Sequence, residues 1–225
     1  MKGTTERISA YSGLIFAVLL LCSGILPGSP AKWYASATDV QSYLQGQHKE
    51  LLAAAVLSGI GYVFLLWFLS VFAGMFRDAG QGRAATVIYG AGVATVAIAA
   101  IGDGIQLGLA KLTYIADPNT VAAMYGVGDW LYSRLFWTMA ALAFATWVAA
   151  RRSKAVPTWY TLLTLLAGCV WVVSGISTND KGFFSITGGM GLAGFVSVAL
   201  WVGISSIVML MQQHAEAPAA APATG

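Results

Sequence analysis

A single uninterrupted apolar segment decides the fold of this chain. Residues Leu51 to Phe76 read LLAAAVLSGIGYVFLLWFLSVFAGMF, and none of these 26 residues is charged. A helix needs about 20 mostly apolar residues to cross a bilayer. Lipid permits only helices or closed barrels, because backbone polar groups find no partner in hydrocarbon. A barrel strand would alternate apolar and polar residues over about ten positions, so this continuous segment predicts a transmembrane helix.

Five further segments of the same kind surround it. The chain is 58% hydrophobic and 9% charged, whereas an ordinary soluble domain carries about 25% charged residues. We therefore predict an all-α fold, a polytopic transmembrane helix bundle with six spans in one domain over residues 1–212. The predicted spans are about 10–26, 51–76, 84–110, 130–150, 158–177 and 190–212. Residues 213–225 are low in complexity, which predicts a disordered cytoplasmic tail.

The loop charges predict the orientation, since Lys and Arg are enriched on the cytoplasmic side. One side would carry Lys2, Arg7, Arg77, Arg83, Arg151, Arg152 and Lys154, and the other would carry Lys32, Lys49, Lys111 and Lys181. We expect both termini in the cytoplasm of a multi-pass protein of the plasma membrane. A cleaved signal peptide is the alternative for the first span, because basic residues precede it. Its long apolar run favours a retained helix.

The loop after the first span is predicted to contain a short amphipathic helix on the outer membrane surface, and an irregular loop is the alternative. Asp39 would cap it, ahead of residues 40–44. In the next outer loop, Asp117-Pro118-Asn119 predicts a turn.

Charged groups inside a membrane are costly, so they suggest function. Asp103 and Arg134 would lie at similar depths, about 10 Å below the outer boundary, on helices joined by one loop. We predict an ion pair between them, with Gln106 on the same face and Asp129 as a competing partner for Arg134. The pair would act either as a structural clamp or as a polar site on a substrate or proton path. Tyr132 is interpreted as an interface anchor or a core residue.

Small residues spaced by four along the same span predict close helix packing. They are Ala100, Gly104 and Gly108. Several chemistries lack their motifs: His48 and His214 lie outside the spans, the sequence has neither HExxH nor a P-loop, and Cys22 and Cys169 form no CxxC pair. We therefore predict no catalytic, cofactor-binding or metal site, no cofactor and no enzymatic activity. The scattered basic residues argue against nucleic-acid binding.

Part of the sequence resembles a known group of proteins. The relevant residues are Asp39, Tyr43, His48 to Leu52, Phe64 to Leu69 and the turn from Arg77 to Gly82. Over residues 10–110 the chain is similar to small multi-pass membrane proteins of actinobacterial type, the DUF4386-like families. This resemblance implies a membrane location and no particular reaction.

Three functions are compatible with these features. The first is a non-enzymatic accessory or assembly subunit that contacts a membrane-protein partner, or a second copy, through its helices. The second is a small transporter or channel with a polar path at Asp103, Gln106 and Arg134. The third is a lipid-interacting or sensing protein. The bilayer is the only partner that all three require.

Overall fold

The computed structural model of the chain describes residues 2–32, 35–177, 182–185 and 187–216. Over these residues it has seven helices and no strand. The helices are α1 (Lys2–Ile25), α2 (Ala37–Gly46), α3 (His48–Asp78), α4 (Gly82–Leu112), α5 (Pro118–Ser153), α6 (Thr158–Ile176) and α7 (Gly189–Glu216). All except α2 are long and apolar enough to cross a membrane. This result confirms the all-helical bundle with six candidate spans.

Two predicted features fall partly or wholly beyond the described residues. Helix α7 continues to Glu216, so the predicted disordered tail begins with helix, and residues 217–225 lie outside the described part. Lys181, one of the four basic residues predicted on the outer side, also lies outside the described residues. The cytoplasmic placement of both termini stays a prediction.

The six long helices form a closed ring. Each packs against the next one along the chain, in the order α1, α3, α4, α5, α6 and α7, and α7 packs against α1. Glycines permit several of these close approaches. The Phe195 ring occupies the space that a Cβ at Gly24 would need, Leu69 does the same at Gly92, and Phe144 crowds Gly168. The ring therefore depends on small residues at its helix contacts.

Large aromatic side chains fill the centre of the ring on the side away from α2. Phe68 and Phe72 stack with ring centroids 5.2 Å apart. The Phe72 ring meets Trp201 edge-on at 5.7 Å, and Trp201 meets Trp171 in the same way. The indole N–H groups are satisfied: Trp171 donates to the Ser197 hydroxyl at 2.8 Å, and Trp201 donates to the Thr164 hydroxyl at 3.1 Å. This half of the bundle is a packed core.

Helix α2 confirms the predicted short helix, but its cap differs from the prediction. Ser36 is the N-cap, and its hydroxyl accepts a hydrogen bond from the Asp39 backbone N–H at 3.1 Å. Asp39 lies in the first turn instead. Its carboxylate is still well placed there, because negative charge is favourable near a helix N-terminus. Ser36 is the cap because the helix begins directly after it, at Ala37.

Helix α2 packs onto the protein. Its buried residues Val40 and Leu44 join Leu109 of α4 and Val121 and Tyr125 of α5 in a second apolar cluster. The Gln41 and Gln45 side-chain amides both donate to the Thr113 carbonyl, at 2.8 and 3.2 Å. The apolar face of the predicted amphipathic helix therefore packs against α4 and α5, and α2 covers one end of the ring. We call this end the α2 end.

Helix α5 begins at Pro118, twelve residues before the predicted start of the fourth span at residue 130. The Asp117 carboxylate caps the helix by accepting from the Thr120 backbone N–H at 3.0 Å. Pro118 occupies the first turn, where no N–H is needed. The predicted turn at 117–119 is therefore a helix N-terminus. Hydropathy missed this extension because the added turns pack on protein, where polar residues are tolerated.

Helix lengths make the ring uneven at the α2 end. Helix α6 has 19 residues and is about 28 Å long, which just matches a hydrocarbon core of about 30 Å. Helix α5 has 36 residues and is about 54 Å long. Near the last turn of α6, Gly175 lies against Trp137 of α5, so residues 118–136 extend past the end of α6.

The small-residue stripe predicted on α4 faces away from the bundle. Ala100 and Gly104 are exposed, and no atom lies within 4 Å of a Cβ built at Gly104 or Gly108. The predicted role in packing is wrong within this chain. A different set of small residues on α4 is buried instead, namely Gly92, Thr95, Ala99 and Gly102. Spacing alone did not indicate which face of the helix meets its neighbours.

Candidate functional site

A cavity of about 360 Å³ lies inside the ring toward the α2 end. Helices α1, α3, α4, α5 and α7 contribute to its wall, and α2 contributes Tyr43. Toward the packed core the wall is apolar, formed by Phe16, Leu20, Leu65, Phe136 and Val198. Its polar groups lie in the half nearer α2, where they share the wall with apolar residues such as Leu51 and Ala54; they are Ser58, Tyr62, Asp103, Gln106, Asp129 and Tyr132. The cavity therefore has one apolar and one polar part along the bundle axis.

Asp103 is bound by three hydroxyl groups from two neighbouring helices. Its Oδ2 accepts hydrogen bonds from the Ser58 hydroxyl and, at 2.7 Å, from the Tyr62 hydroxyl. Its Oδ1 accepts from the Tyr132 hydroxyl at 2.5 Å. Ser58 and Tyr62 lie one turn apart on α3, and Tyr132 lies on α5. The Asp103 carboxylate on α4 therefore links α3 and α5 through hydrogen bonds, and each of its two oxygens accepts at least one.

The predicted Asp103–Arg134 ion pair is wrong. Asp103 points to the interior of the ring and has the three hydroxyl partners just described, whereas Arg134 is exposed on the outer surface of α5. Tyr132, two residues earlier on α5, faces Asp103 in place of Arg134. A helix turns by about 200° over two residues, so Arg134 points away from α4. Arg134 does not line the cavity.

Gln106 and Asp129 carry the unsatisfied polar atoms of the cavity. Gln106 Oε1 and Asp129 Oδ2 are buried and have no hydrogen-bond partner among the described residues. The two groups belong to one wall, because the Gln106 amide nitrogen lies 3.3 Å from the position of a Cβ built at Gly128, the neighbour of Asp129. Buried acceptors without a donor are rare and need an explanation. The suggested contact of Asp129 with Arg134 is not formed.

Two tyrosines of the polar part connect the cavity to α2. The Tyr43 and Tyr125 rings meet edge-on with centroids 6.3 Å apart. The Tyr125 hydroxyl donates to the Ala31 carbonyl at 2.9 Å. Burial raises the pKa of the Tyr43 hydroxyl to about 12, and the Asp129 carboxylate contributes to the shift. Tyr43 is therefore a neutral phenol at physiological pH.

The charges of the cavity wall are uneven. Two carboxylates, Asp103 and Asp129, line it, whereas no Lys, Arg or His is among its described lining residues. The described part of the chain contains no group of three or more His, Cys, Asp or Glu placed to hold a metal ion. The site therefore offers oxygen acceptors, aromatic faces and apolar surface.

Sequence reasoning found Asp103, Gln106 and Asp129, but it missed the aromatic part of the site. The sequence predicts Tyr132 to be an interface anchor or a core residue, whereas in the structure its hydroxyl binds Asp103. A signal existed for Ser58 and Tyr62: two polar side chains one turn apart interrupt an apolar segment and share one face of its helix. Nothing local distinguishes Tyr43 or Tyr125 from ordinary interface tyrosines.

Comparison with known proteins finds no matching family model, no matching curated protein and no matching solved structure. The resemblance to DUF4386-like proteins therefore stays a prediction.

Proposed function

We propose that this chain is a membrane-embedded binding protein for a small amphiphile, a molecule with one polar end and an apolar body. The observation that carries the proposal is the two-part cavity, in which Phe16, Leu65 and Val198 face one end and Asp103, Gln106 and Asp129 the other. Binding sites for small molecules are typically apolar cavities with a few polar groups that fix orientation. The volume of about 360 Å³ lies within the usual range for such sites.

The packing of the ring favours a binding site over an open channel. Phe68, Phe72 and Trp201 are almost completely buried and fill the centre directly beyond the apolar part of the cavity. A path across the membrane would require these rings to move. Helix α2 and its Tyr43 lie at the opposite end, and the exposed residues Gly24 and Pro30 form part of the rim there. Access from this end requires the smaller rearrangement.

A substitution that fills the cavity tests the proposal. Ala99 on α4 lines the cavity, whereas its neighbour Ala100 is exposed on the outer face. Ala99→Phe should place a ring in the cavity and abolish binding, and Ala100→Phe provides a control with the same change in composition. Native mass spectrometry of the protein extracted from its host membrane would measure the small molecules that it retains.

We expect a retained small molecule on the unaltered protein and on Ala100→Phe, and none on Ala99→Phe. Retention by Ala99→Phe equal to that of the unaltered protein would contradict the proposal. A smaller change, Ala55→Leu, fills the same cavity from α3 and replaces Ala99→Phe if that variant does not fold.

One observation favours the accessory-subunit function as a second candidate. On α4, Ala100 is exposed and no described residue lies within 4 Å of a Cβ built at Gly104 or Gly108, so another helix can approach this face closely. Native mass spectrometry in mild detergent also tests this candidate, because it predicts a protein partner bound to the extracted chain. Release of that partner by Gly104→Leu would support it.

A further inference from the structure

We infer that the polar end of the ligand is an ammonium group, bound by the Asp129 carboxylate and the Gln106 side-chain carbonyl. The inference rests on the proposed function, because it names the chemical class that the same cavity takes. It assigns different roles to the two carboxylates. Asp129 would contact the ligand, and Asp103 would position the tyrosines around it.

Asp129 is the group in the cavity that most needs a partner. Its side chain is 8% exposed, and its Oδ2 has no hydrogen-bond partner among the described residues. A buried carboxylate is costly unless it is paired and hydrogen-bonded. Gln106 Oε1 lies in the same wall. It too is buried and has no hydrogen-bond partner among the described residues. Both atoms accept hydrogen bonds when Asp129 is ionised, so a ligand that donates hydrogen bonds would satisfy both.

The charge of the wall selects a cation over a neutral donor. The described lining has two carboxylates and no basic residue, so a cation would compensate the charge of an ionised Asp129, whereas an alcohol would only satisfy a hydrogen bond. An ammonium group provides both the charge and up to three N–H donors. A carboxylate ligand would add a third acidic group to the site and is disfavoured by repulsion. Electrostatic attraction is stronger at a partly buried site than in bulk water.

The aromatic residues of the polar part suit the same head group. Tyr43 and Tyr125 meet edge-on beside Asp129, and Tyr132 lies one turn from it on α5. Tyrosine faces attract cations, and such contacts are worth about 0.5–2 kcal/mol. The alkyl part of the ligand would then extend toward Phe16, Leu65 and Val198.

Asp103 is a weaker candidate for the ligand contact. Each of its oxygens already accepts at least one hydrogen bond, from Ser58, Tyr62 and Tyr132. These bonds hold the two tyrosine rings at the cavity wall. Asp103 therefore acts as a positioning residue. Its replacement should weaken binding of charged and uncharged ligands alike, whereas replacement of Asp129 should remove the preference for charge.

A series of ligands with one alkyl chain and three charges tests the inference. The protein would be reconstituted in nanodiscs of phosphatidylcholine, which has no net charge, and titrated at pH 7 with hexylammonium, 1-hexanol and hexanoate. Dissociation constants would be measured by competition or by tryptophan fluorescence. We expect hexylammonium to bind at least about tenfold more tightly than 1-hexanol, and hexanoate to bind most weakly.

Asp129→Asn keeps the size of the side chain and removes its charge. In this variant the dissociation constants of hexylammonium and 1-hexanol should agree within about twofold. Asp39→Asn is the matched control, because it makes the same change on an exposed residue of α2 at the same end of the bundle. It should leave the preference intact. The ligand series on the unaltered protein tests the inference even if Asp129→Asn does not fold.

The outcomes separate the inference from the proposed function. If hexylammonium and 1-hexanol bind equally well, and Ala99→Phe abolishes both, the amphiphile site stands and the ammonium assignment is overturned. The assignment also fails if Asp129→Asn folds and keeps the full preference. If none of the three ligands binds to the unaltered protein, the proposed function fails, and the assignment fails with it.

Discussion

Tyr132 of α5 rests against the backbone of Gly102 of α4, and its hydroxyl group binds the carboxylate of the next residue, Asp103. A Cβ at position 102 would lie 3.0 to 3.3 Å from three atoms of the phenol. The two neighbouring residues therefore act together. Gly102 provides the space for the ring, and Asp103 provides the acceptor for its hydroxyl.

Gly102→Ala should displace Tyr132 and destabilise the protein. The added methyl group is too close to the ring, and overpacking of this kind costs about 1–3 kcal/mol. Alanine gains up to about 1 kcal/mol over glycine inside a helix, which offsets part of the cost. Gly104→Ala is the matched control, because nothing lies within 4 Å of a Cβ there. Chemical unfolding in detergent should rank Gly104→Ala above Gly102→Ala in stability, and the reverse order would contradict the contact.

Asp103→Ala should lower the free energy of unfolding by about 2–4 kcal/mol. The Ser58, Tyr62 and Tyr132 hydroxyls would lose their acceptor, and a buried group left unpaired costs about 1–3 kcal/mol. Arg134→Gln should change stability by no more than about 0.5 kcal/mol, because Arg134 is exposed and does not pair with Asp103. Equal destabilisation by both substitutions would favour an ion pair that the structure lacks.

Asp129→Leu should stabilise the ligand-free protein. The substitution removes a buried acceptor with no partner, and relief of such a group is worth about 1–3 kcal/mol. Functional sites often carry a group that lowers stability. The measurement is the unfolding temperature in detergent without added ligand, with Asp39→Leu as the exposed control. A clear loss of stability in Asp129→Leu would show that Asp129 has a structural partner.

Alkaline pH should weaken the protein partly through Tyr43. Burial raises the pKa of its hydroxyl to about 12, whereas a tyrosine in the unfolded chain has a pKa of about 10. Between about pH 10 and 12 the folded state holds the proton that the unfolded state has lost, so stability falls as pH rises. The contribution is fully present below about pH 10. Unfolding temperatures across this window should decline less in Tyr43→Phe than in the unaltered protein.

Apolar length determined the number and position of the long helices. Leu51 to Phe76 lies wholly inside α3, and all six predicted spans coincide with helices that can cross a membrane. The ends were less predictable. Helix α5 begins at Pro118 because Asp117 caps it, and the added turns are stabilised by packing on α2 and α4. That packing leaves no strong signal in local hydropathy.

The sequence by itself determined that Asp103, Gln106 and Asp129 are exceptional, since polar groups are expensive in an apolar helix whatever surrounds them. Only the tertiary structure decided their partners. The rotation of α5 placed Tyr132 toward Asp103 and Arg134 outward, and the closed ring put Ser58 and Tyr62 within reach of the same carboxylate. The reason is physical: the cost of burying a polar group follows from its own chemistry and its helix, whereas its partner depends on helix rotation, which is fixed by the packing of the whole bundle.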